Sequence, residues 1–409
     1  MSIKTLSFGC RLNALESEKI QSMLKNVLET AIVVNTCAVT GEAERQSGQS
    51  VRRIARENKN TPIFVTGCAA TRNPEMFCYI PNVIVVDNFQ KRNLNAYMDA
   101  MARTPCNIVG GATIDNFRDT DEKLSKKFVQ IQNGCNHDCT YCVTRLLRGR
   151  AVSFEYDEIL TDVRAAVDAG FGEIVLTGVD IASYARVYDE RAFLISDLCK
   201  KLLADVPGIQ RLRLSSMDPA VPEVGKIIDL IKSDARMMPH MHFSMQSGSD
   251  TILKSMRRRH TADTVRKWVQ MAGDKITFSW DIICGFPGES EELFNETLAL
   301  ARELKPIKIH AFPYSPRPNT VAATMPNQVN RAISKQRVKI INDAANENRA
   351  NFMKSQLRQI VQVLVEENNI ARCPHDISVK IVGTPIPPRT ICNTVITEIQ
   401  GDTFVGKIQ

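Results

Sequence analysis

Three cysteines fall within nine residues, GCNHDCTYC, at positions 135, 139 and 142. Thiolates this close together suit a soft metal. A structural zinc site is closed and takes four protein ligands, and within this stretch only His137 could be the fourth. Its place between the first two cysteines makes a tetrahedron awkward, so His137 reads as a polar loop residue. A four-iron cluster has four corners, and three thiolates would leave one iron open to a substrate or a second cofactor. Three further cysteines, Cys10, Cys37 and Cys68, each close a short apolar run: IKTLSFGC, AIVVNTC and PIFVTGC. A cysteine ending a strand is most often a small buried hydrophobe, but three in corresponding places point to a shared role. Cys78, Cys106, Cys199, Cys373 and Cys392 follow no ligand spacing and read as buried or surface thiols, and Cys284, the nearest competitor because it closes the fifth barrel strand, reads as packing.

The elements that must position these thiols are legible as repeats. Helix-like stretches, ESEKIQSMLKNVLE and EAERQSGQSVRRIAREN, follow the first two cysteine-closed runs, and a fourth run, NVIVVDN, lacks a cysteine. A spacing of about thirty residues is that of a strand–helix unit, and right-handed crossovers make such strands parallel. All three thiols would then lie at the carboxyl edge of one sheet, where open α/β folds bind ligands. A polar, Gly-containing linker around residues 110 to 126 separates this region from six more strand candidates. These are FVQIQ (128–132), EIVLTG (173–178), RLRLSS (211–216), HFSMQS (242–247), TFSWDIICG (277–285) and KIHAFPY (308–314), alternating with helix-like stretches such as DEILTDVRAAVDAG. The class is α/β. The expected architecture is an N-terminal parallel α/β sheet domain (1–118), a central open (β/α)6 barrel (123–350) and a small C-terminal β domain (353–409). Functional residues of such a barrel cluster at the carboxyl ends of its strands.

Composition narrows the setting. At 409 residues the chain exceeds one ordinary core, and no run approaches the roughly 20 apolar residues that span a bilayer. The expected setting is cytoplasmic with no membrane partner, where twelve cysteines stay reduced and are available to metal. A net charge of +7 is compatible with RNA without requiring it.

The C-x3-C-x2-C spacing, with Tyr141 before the last cysteine and a barrel strand ahead of it, resembles the radical S-adenosylmethionine (SAM) superfamily. The resemblance implies a [4Fe-4S] cluster on Cys135, Cys139 and Cys142 whose open iron is chelated by SAM. Gly178, Ser215, Gln246 and Asp281, at or near strand ends, would then line the SAM pocket, although each also has the bland reading of a turn glycine, strand-end polar group or helix cap. Across the whole chain, FGCRLNALESE, VVNTCAVTGEAERQS, VTGCAA, SSMDP, QSGSDTILKSMRRRHT, DIICGFPGE and FPYSPRPNT resemble, in order, the motifs of the methylthiotransferase family. That resemblance implies a second [4Fe-4S] cluster on Cys10, Cys37 and Cys68. It also implies replacement of C–H by C–S–CH3 using two SAM molecules, and a TRAM-like RNA-binding C-terminal domain.

Within the family the chain most resembles the MtaB type, which modifies N6-threonylcarbamoyladenosine at C2, beside the tRNA anticodon. The MiaB type (isopentenyladenosine) and the RimO type (an aspartate of a ribosomal protein) are the alternatives. The implied partners are the anticodon stem-loop and a low-potential electron donor of the flavodoxin or ferredoxin class; the sulfur donor is not indicated. Where the family has an Ile-Pro-containing segment after its last cysteine, this chain reads VTRLLRGRAVS. Two basic stretches, Arg52-Arg53-Arg56 and Arg257-Arg258-Arg259, could contact phosphates, the second more so, while Glu16 and Glu18 read as helix-start charges. A non-catalytic iron–sulfur or zinc RNA-binding protein is the rival from another class.

Overall fold

The computed structural model describes residues 2–9, 11–103 and 125–409. Cys10, Cys106 and nearly all of the expected linker, with the boundary between residues 118 and 123, lie outside the described residues. The chain forms two compact units, one built on residues 1–122, 134–137 and 142–150, the other on 123–133, 138–141 and 151–409.

The first unit is a four-stranded parallel sheet in sequential order. Its elements are β1 (Ser2–Ser7), α1 (Arg11–Lys25), β2 (Thr30–Thr36), α2 (Gly41–Glu57), β3 (Ile63–Gly67), α3 (Cys68–Arg72), α4 (Glu75–Cys78), β4 (Val83–Val85), α5 (Leu94–Arg103) and α6 (Thr144–Arg148). The apolar runs of β2 and β3 are buried on both faces, as parallel strands between helices must be. Ile32, Val34 and Val65 pack on one side with Val51 and Ile54; Ala31, Val33 and Phe64 pack on the other with Ile20 and Tyr97. Thr40 caps α2 by accepting from the Ala43 N–H at 3.1 Å, and Glu42 and Glu44 complement its first turn.

The second unit begins with β5 (Lys126–Gln130), β6 (Gln132–Asn133), β7 (Val152–Ser153), α7 (Tyr156–Asp168), β8 (Glu173–Thr177), the hairpin β9 (Ala185–Tyr188) and β10 (Arg191–Leu194), α8 (Ile195–Asp205), β11 (Leu212–Leu214) and β12 (Ser216–Met217). It continues with α9 (Glu223–Ser233), β13 (His240–Gln246), α10 (Asp250–Ser255), α11 (Ala262–Ala272), β14 (Thr277–Cys284), α12 (Glu291–Leu304), β15 (Lys308–Pro313) and α13 (Arg331–Ser355). The six expected barrel strands are present in sequential order, as parallel sheets β11-β8-β5 and β12-β13-β14-β15. The run RLRLSS is interrupted at Ser215. There the chain passes from pairing with β8, through β11, to pairing with β13, through β12. The hairpin β9–β10 is an insertion with no counterpart in the expected strand set.

A closed five-stranded barrel ends the chain: β16 (Ile360–Val365), β17 (Ile370–Arg372), β18 (Ser378–Val382), β19 (Ile391–Gln400) and β20 (Thr403–Ile408). It covers the amino-terminal ends of the larger barrel's strands. Arg211 donates to the Gln362 and Arg372 carbonyls at 2.7 and 3.0 Å, Arg213 to the Pro374 carbonyl at 2.9 Å, and Ser125 to the Val365 carbonyl at 2.6 Å. At the centre the fully buried Glu173 binds Arg213 at 2.7 Å and Lys126 at 3.3 Å, while Lys126 reaches Asp376 at 3.0 Å.

Candidate functional site

In the first unit the register pairs Ser7 with Asn35 and Thr36 with Gly67, so Cys37 and Cys68 leave the sheet side by side at its carboxyl edge. Both are buried. Cys10, expected to join them, is outside the described residues, but its neighbour Gly9 is not. Gly9 has φ +84°, and a Cβ there would stand 2.3 Å from the Cys37 Sγ, so only glycine lets the β1 loop close over that sulfur. Asn13 stitches the loop in place, donating to the Phe8 carbonyl at 2.9 Å and the Thr36 carbonyl at 3.0 Å. The Thr36 hydroxyl donates to the Thr66 carbonyl and accepts from the Ala70 N–H, tying the Cys37 strand to the Cys68 turn. Soft donors at one edge, with a cradle that a Cβ would fill, are a donor set that fits a thiolate-held cluster.

Beneath this edge lies a group that sequence reasoning misassigned. Glu16 is buried, paired with Lys91 at 2.5 Å and Arg148 at 2.9 Å, and Arg148 also donates to Asn13 Oδ1 at 2.6 Å. It is no solvated helix-start charge. Burial alone would raise its pKa, but the two cations hold the carboxyl below its ordinary range. Burial lowers Lys91 to about 8 against the pull of Glu16, with Arg148 adding repulsion. The VTRLLRGR departure explains itself here: it forms α6, which sends Val143 and Leu147 into the sheet's core and Arg148 into the pair with Glu16. On the same loop the Cys135 Sγ accepts from the His137 N–H and the Cys142 Sγ from the Thr144 N–H, each at 3.4 Å. Gly134 has φ +69°, and a Cβ there would clash with the Arg150 carbonyl at 2.0 Å.

In the second unit the Cys139 Sγ accepts from Arg258 at 3.6 Å, and the adjacent Thr140 is pinned between the Met256 and Ser255 carbonyls and the Ala322 N–H. Arg258 is itself buried against Asp218 at 3.1 Å, so the middle arginine of MRRRH turns toward the cysteine loop. Burial opposes its charge, yet Tyr141, Asp218 and Cys139 raise its pKa. Asp218, which also binds Arg259 at 3.1 Å, carried no signal beyond its place in SSMDP. Gly178 follows β8 at a spot where a Cβ would lie 2.8 Å from the Gln132 carbonyl, and Gln132 Oε1 accepts the Val179 and Asp180 N–H groups at 3.0 and 2.9 Å. Gln246 ends β13 at φ +69°. Ser215 lies in the β11–β12 interruption.

Gly178, Ser215 and Gln246 thus occupy strand ends, whereas Asp281 lies three residues short of the end of β14, in register with His310. The bases of these barrel strands alternate apolar-out, polar-in, so His240, His242, Ser279 and Asp281 line one interior face. His242 Nε2 is 3.1 Å from Asp281, and its Nδ1 is 2.7 Å from the Ser279 hydroxyl. Glu289 binds the Gly285 N–H at 2.6 Å and Arg337 at 2.8 Å, which makes it a brace for the β14–α12 turn.

Residues 129–301 match the model of the radical SAM superfamily, and residues 2–86 that of an uncharacterized protein family, UPF0004. A relative from Rickettsia prowazekii (strain Madrid E), named threonylcarbamoyladenosine tRNA methylthiotransferase MtaB, is 37% identical over 392 residues, covering 92% of this chain and 90% of the relative. The chain belongs to the radical SAM methylthiotransferase family. It is a transferase whose cofactors are SAM and iron–sulfur, and the reading as a non-catalytic binder falls. A second methylthiotransferase, the tRNA-2-methylthio-N(6)-dimethylallyladenosine synthase of Tropheryma whipplei (strain Twist), is 32% identical over 369 residues, covering 85% of this chain and 77% of the relative. The fold is shared with the radical SAM methyltransferase TsrM from Kitasatospora setae, with a TM-score of 0.56 at 14% identity over 76% of this chain and 68% of that one. Among the described residues no helix is long and apolar enough to cross a membrane.

Proposed function

We propose that this methylthiotransferase adds a methylthio group to C2 of N6-threonylcarbamoyladenosine beside the tRNA anticodon. What carries the reading is the 37% identity, spread over nearly all of both chains, to a relative named for that reaction. The work divides among three modules: 1–118 with the sulfur-carrying cluster on Cys10, Cys37 and Cys68, 123–350 with the SAM-cleaving cluster on Cys135, Cys139 and Cys142, and 353–409 on RNA. Bound there, the clusters and SAM would supply a deoxyadenosyl radical to take hydrogen from an unactivated carbon and a methylated sulfur to replace it. The chain's own residues hold the sulfurs and shape the pocket. Arg258 donates to Cys139, the His137 and Thr144 N–H groups donate to Cys135 and Cys142, and Gly9 admits Cys37. Gly178 and Gln132 fix the turn after β8, where SAM would lie, with Ser215 and Gln246 on neighbouring strand ends and Asp281 deeper in the lumen. A low-potential flavodoxin- or ferredoxin-class protein supplies electrons.

The second reading, methylthiolation of isopentenyladenosine, has the 32% relative in its favour. Nucleoside mass spectrometry of tRNA from a strain lacking the protein separates the two. Loss of the methylthio form of N6-threonylcarbamoyladenosine is the expected result; loss of the isopentenyl form would transfer the assignment.

A further inference from the structure

The opposite edge of the N-terminal sheet carries a groove that the cluster chemistry does not use. It encloses about 930 Å³ between the second half of α2 and the turn from α4 into β4. One wall presents Arg52, Arg53, Arg56 and Lys59, all exposed, and the other presents Tyr79 and Pro81. In the eleven residues 49–59 these four cations meet one acid, Glu57. Among the described residues none of the four forms an ion pair, whereas Arg45 at the start of the same helix pairs with Glu42 and Arg72 with Glu44. Among the described residues Tyr79, 83% exposed, is the most exposed of the large apolar side chains, and its hydroxyl makes no hydrogen bond there. The floor is rigid: Asn82, at φ +57°, donates to the Asn58 and Thr61 carbonyls at 2.6 and 2.8 Å, and Asn58 caps α2.

Cations without acids beside an unsupported aromatic ring form the pattern that grips nucleic acid, with phosphates on the cations and an unstacked base on the ring. We propose that this groove is an RNA-docking site that holds a segment of the tRNA substrate away from the reacting nucleotide. The proposal rests on the tRNA reading above and adds to it where the grip lies. The C-terminal barrel supplies little of the required charge, since residues 356–409 contain five Lys/Arg and five Asp/Glu. An electron carrier is a poorer occupant. Electron transfer decays steeply with distance, and α2 runs 17 residues, or about 25 Å, from the cysteine edge toward the groove.

The test uses the full-length, anaerobically reconstituted enzyme with an unmodified tRNA transcript and an isolated anticodon stem-loop as probes. Arg52→Gln with Arg56→Gln is expected to weaken transcript binding about tenfold or more and to lower the slope of log Kd against log salt by about 1.5. Tyr79→Ala should cost about fivefold or more, and Tyr79→Phe, which keeps the ring face, almost nothing. Deoxyadenosine formation without RNA stays at the wild-type rate in all of them. A larger loss on the transcript than on the stem-loop supports docking outside the anticodon arm. Variants with wild-type affinity and salt slope overturn the groove, as do variants that turn over normally with dithionite but fail with flavodoxin, which would assign the surface to a protein. A wild-type enzyme that binds no tRNA would instead remove the tRNA reading itself.

Discussion

At the residue scale the chemistry depends on what lies against the sulfurs. Gly9 tolerates neither a Cβ at 2.3 Å from the Cys37 Sγ nor, in any L-residue, an easy φ of +84°. Gly9→Ala is therefore expected to bind about half the iron of the wild type, by the four-iron-per-cluster count, while retaining reductant-dependent SAM cleavage. Full iron loading in that variant would remove the sulfur edge from cluster binding. Arg258 acts differently: on the proposed assignment of Cys139 as a cluster ligand, an N–H donated to its sulfur would stabilise the reduced cluster. Arg258→Lys keeps the charge beside Asp218 but loses the fork that reaches both Asp218 and Cys139. The expected outcome is a more negative cluster potential by spectroelectrochemical titration and deoxyadenosine formation slowed about tenfold. An unchanged potential would reduce Arg258 to a packing role.

At the scale of elements, the junction between the two barrels carries a buried ion-pair network beside its apolar contacts. Glu173 sits at the start of β8 among Arg213, Lys126 and Arg211. Burial pushes its pKa up, but these cations overcome burial and hold it at about 2, against an ordinary 4.5. A depressed carboxylate stabilises the folded state above the unfolded pKa, so this contribution is full above about pH 4.5 and lost as pH falls toward 2. Near-UV circular dichroism against pH should show that acid transition. Glu173→Gln should abolish most of it and, by stranding buried cations, cost about 3–5 kcal/mol at neutral pH. A variant as stable as the wild type at pH 7 would mean that water reaches the junction.

At the scale of the whole molecule, the C-terminal barrel builds its core with residues of the elements before it. Ile307 and Met353, from the preceding barrel and its last helix, pack with Val363, Ile381 and Phe404. Truncation after Ser355 is expected to give insoluble protein by exposing Ile307 and Met353 and uncovering Arg211 and Glu173. A soluble fragment with full SAM cleavage would show the segment to be dispensable.

Local signals were enough for much of this. The spacing of Cys135, Cys139 and Cys142, the three apolar runs closed by Cys10, Cys37 and Cys68, and the six-strand alternation are carried by residues near one another in sequence, where periodicity and turn chemistry act directly. The sequence by itself determined the class of fold and the family. Only the tertiary structure decided the partners of single charges. Glu16 and Glu18 look alike on paper, yet Glu16 turns inward because Lys91, 75 residues away, and Arg148, 132 away, meet it there. Arg258 and Arg259 are neighbours, yet the first is buried against a cysteine loop and the second is half exposed. Asp281 belongs to the lumen and not the rim because strand register sets it beside His242 and His310. A charge has no period, and its fate follows from which distant group removes the cost of its burial, which is a property of the packed chain alone.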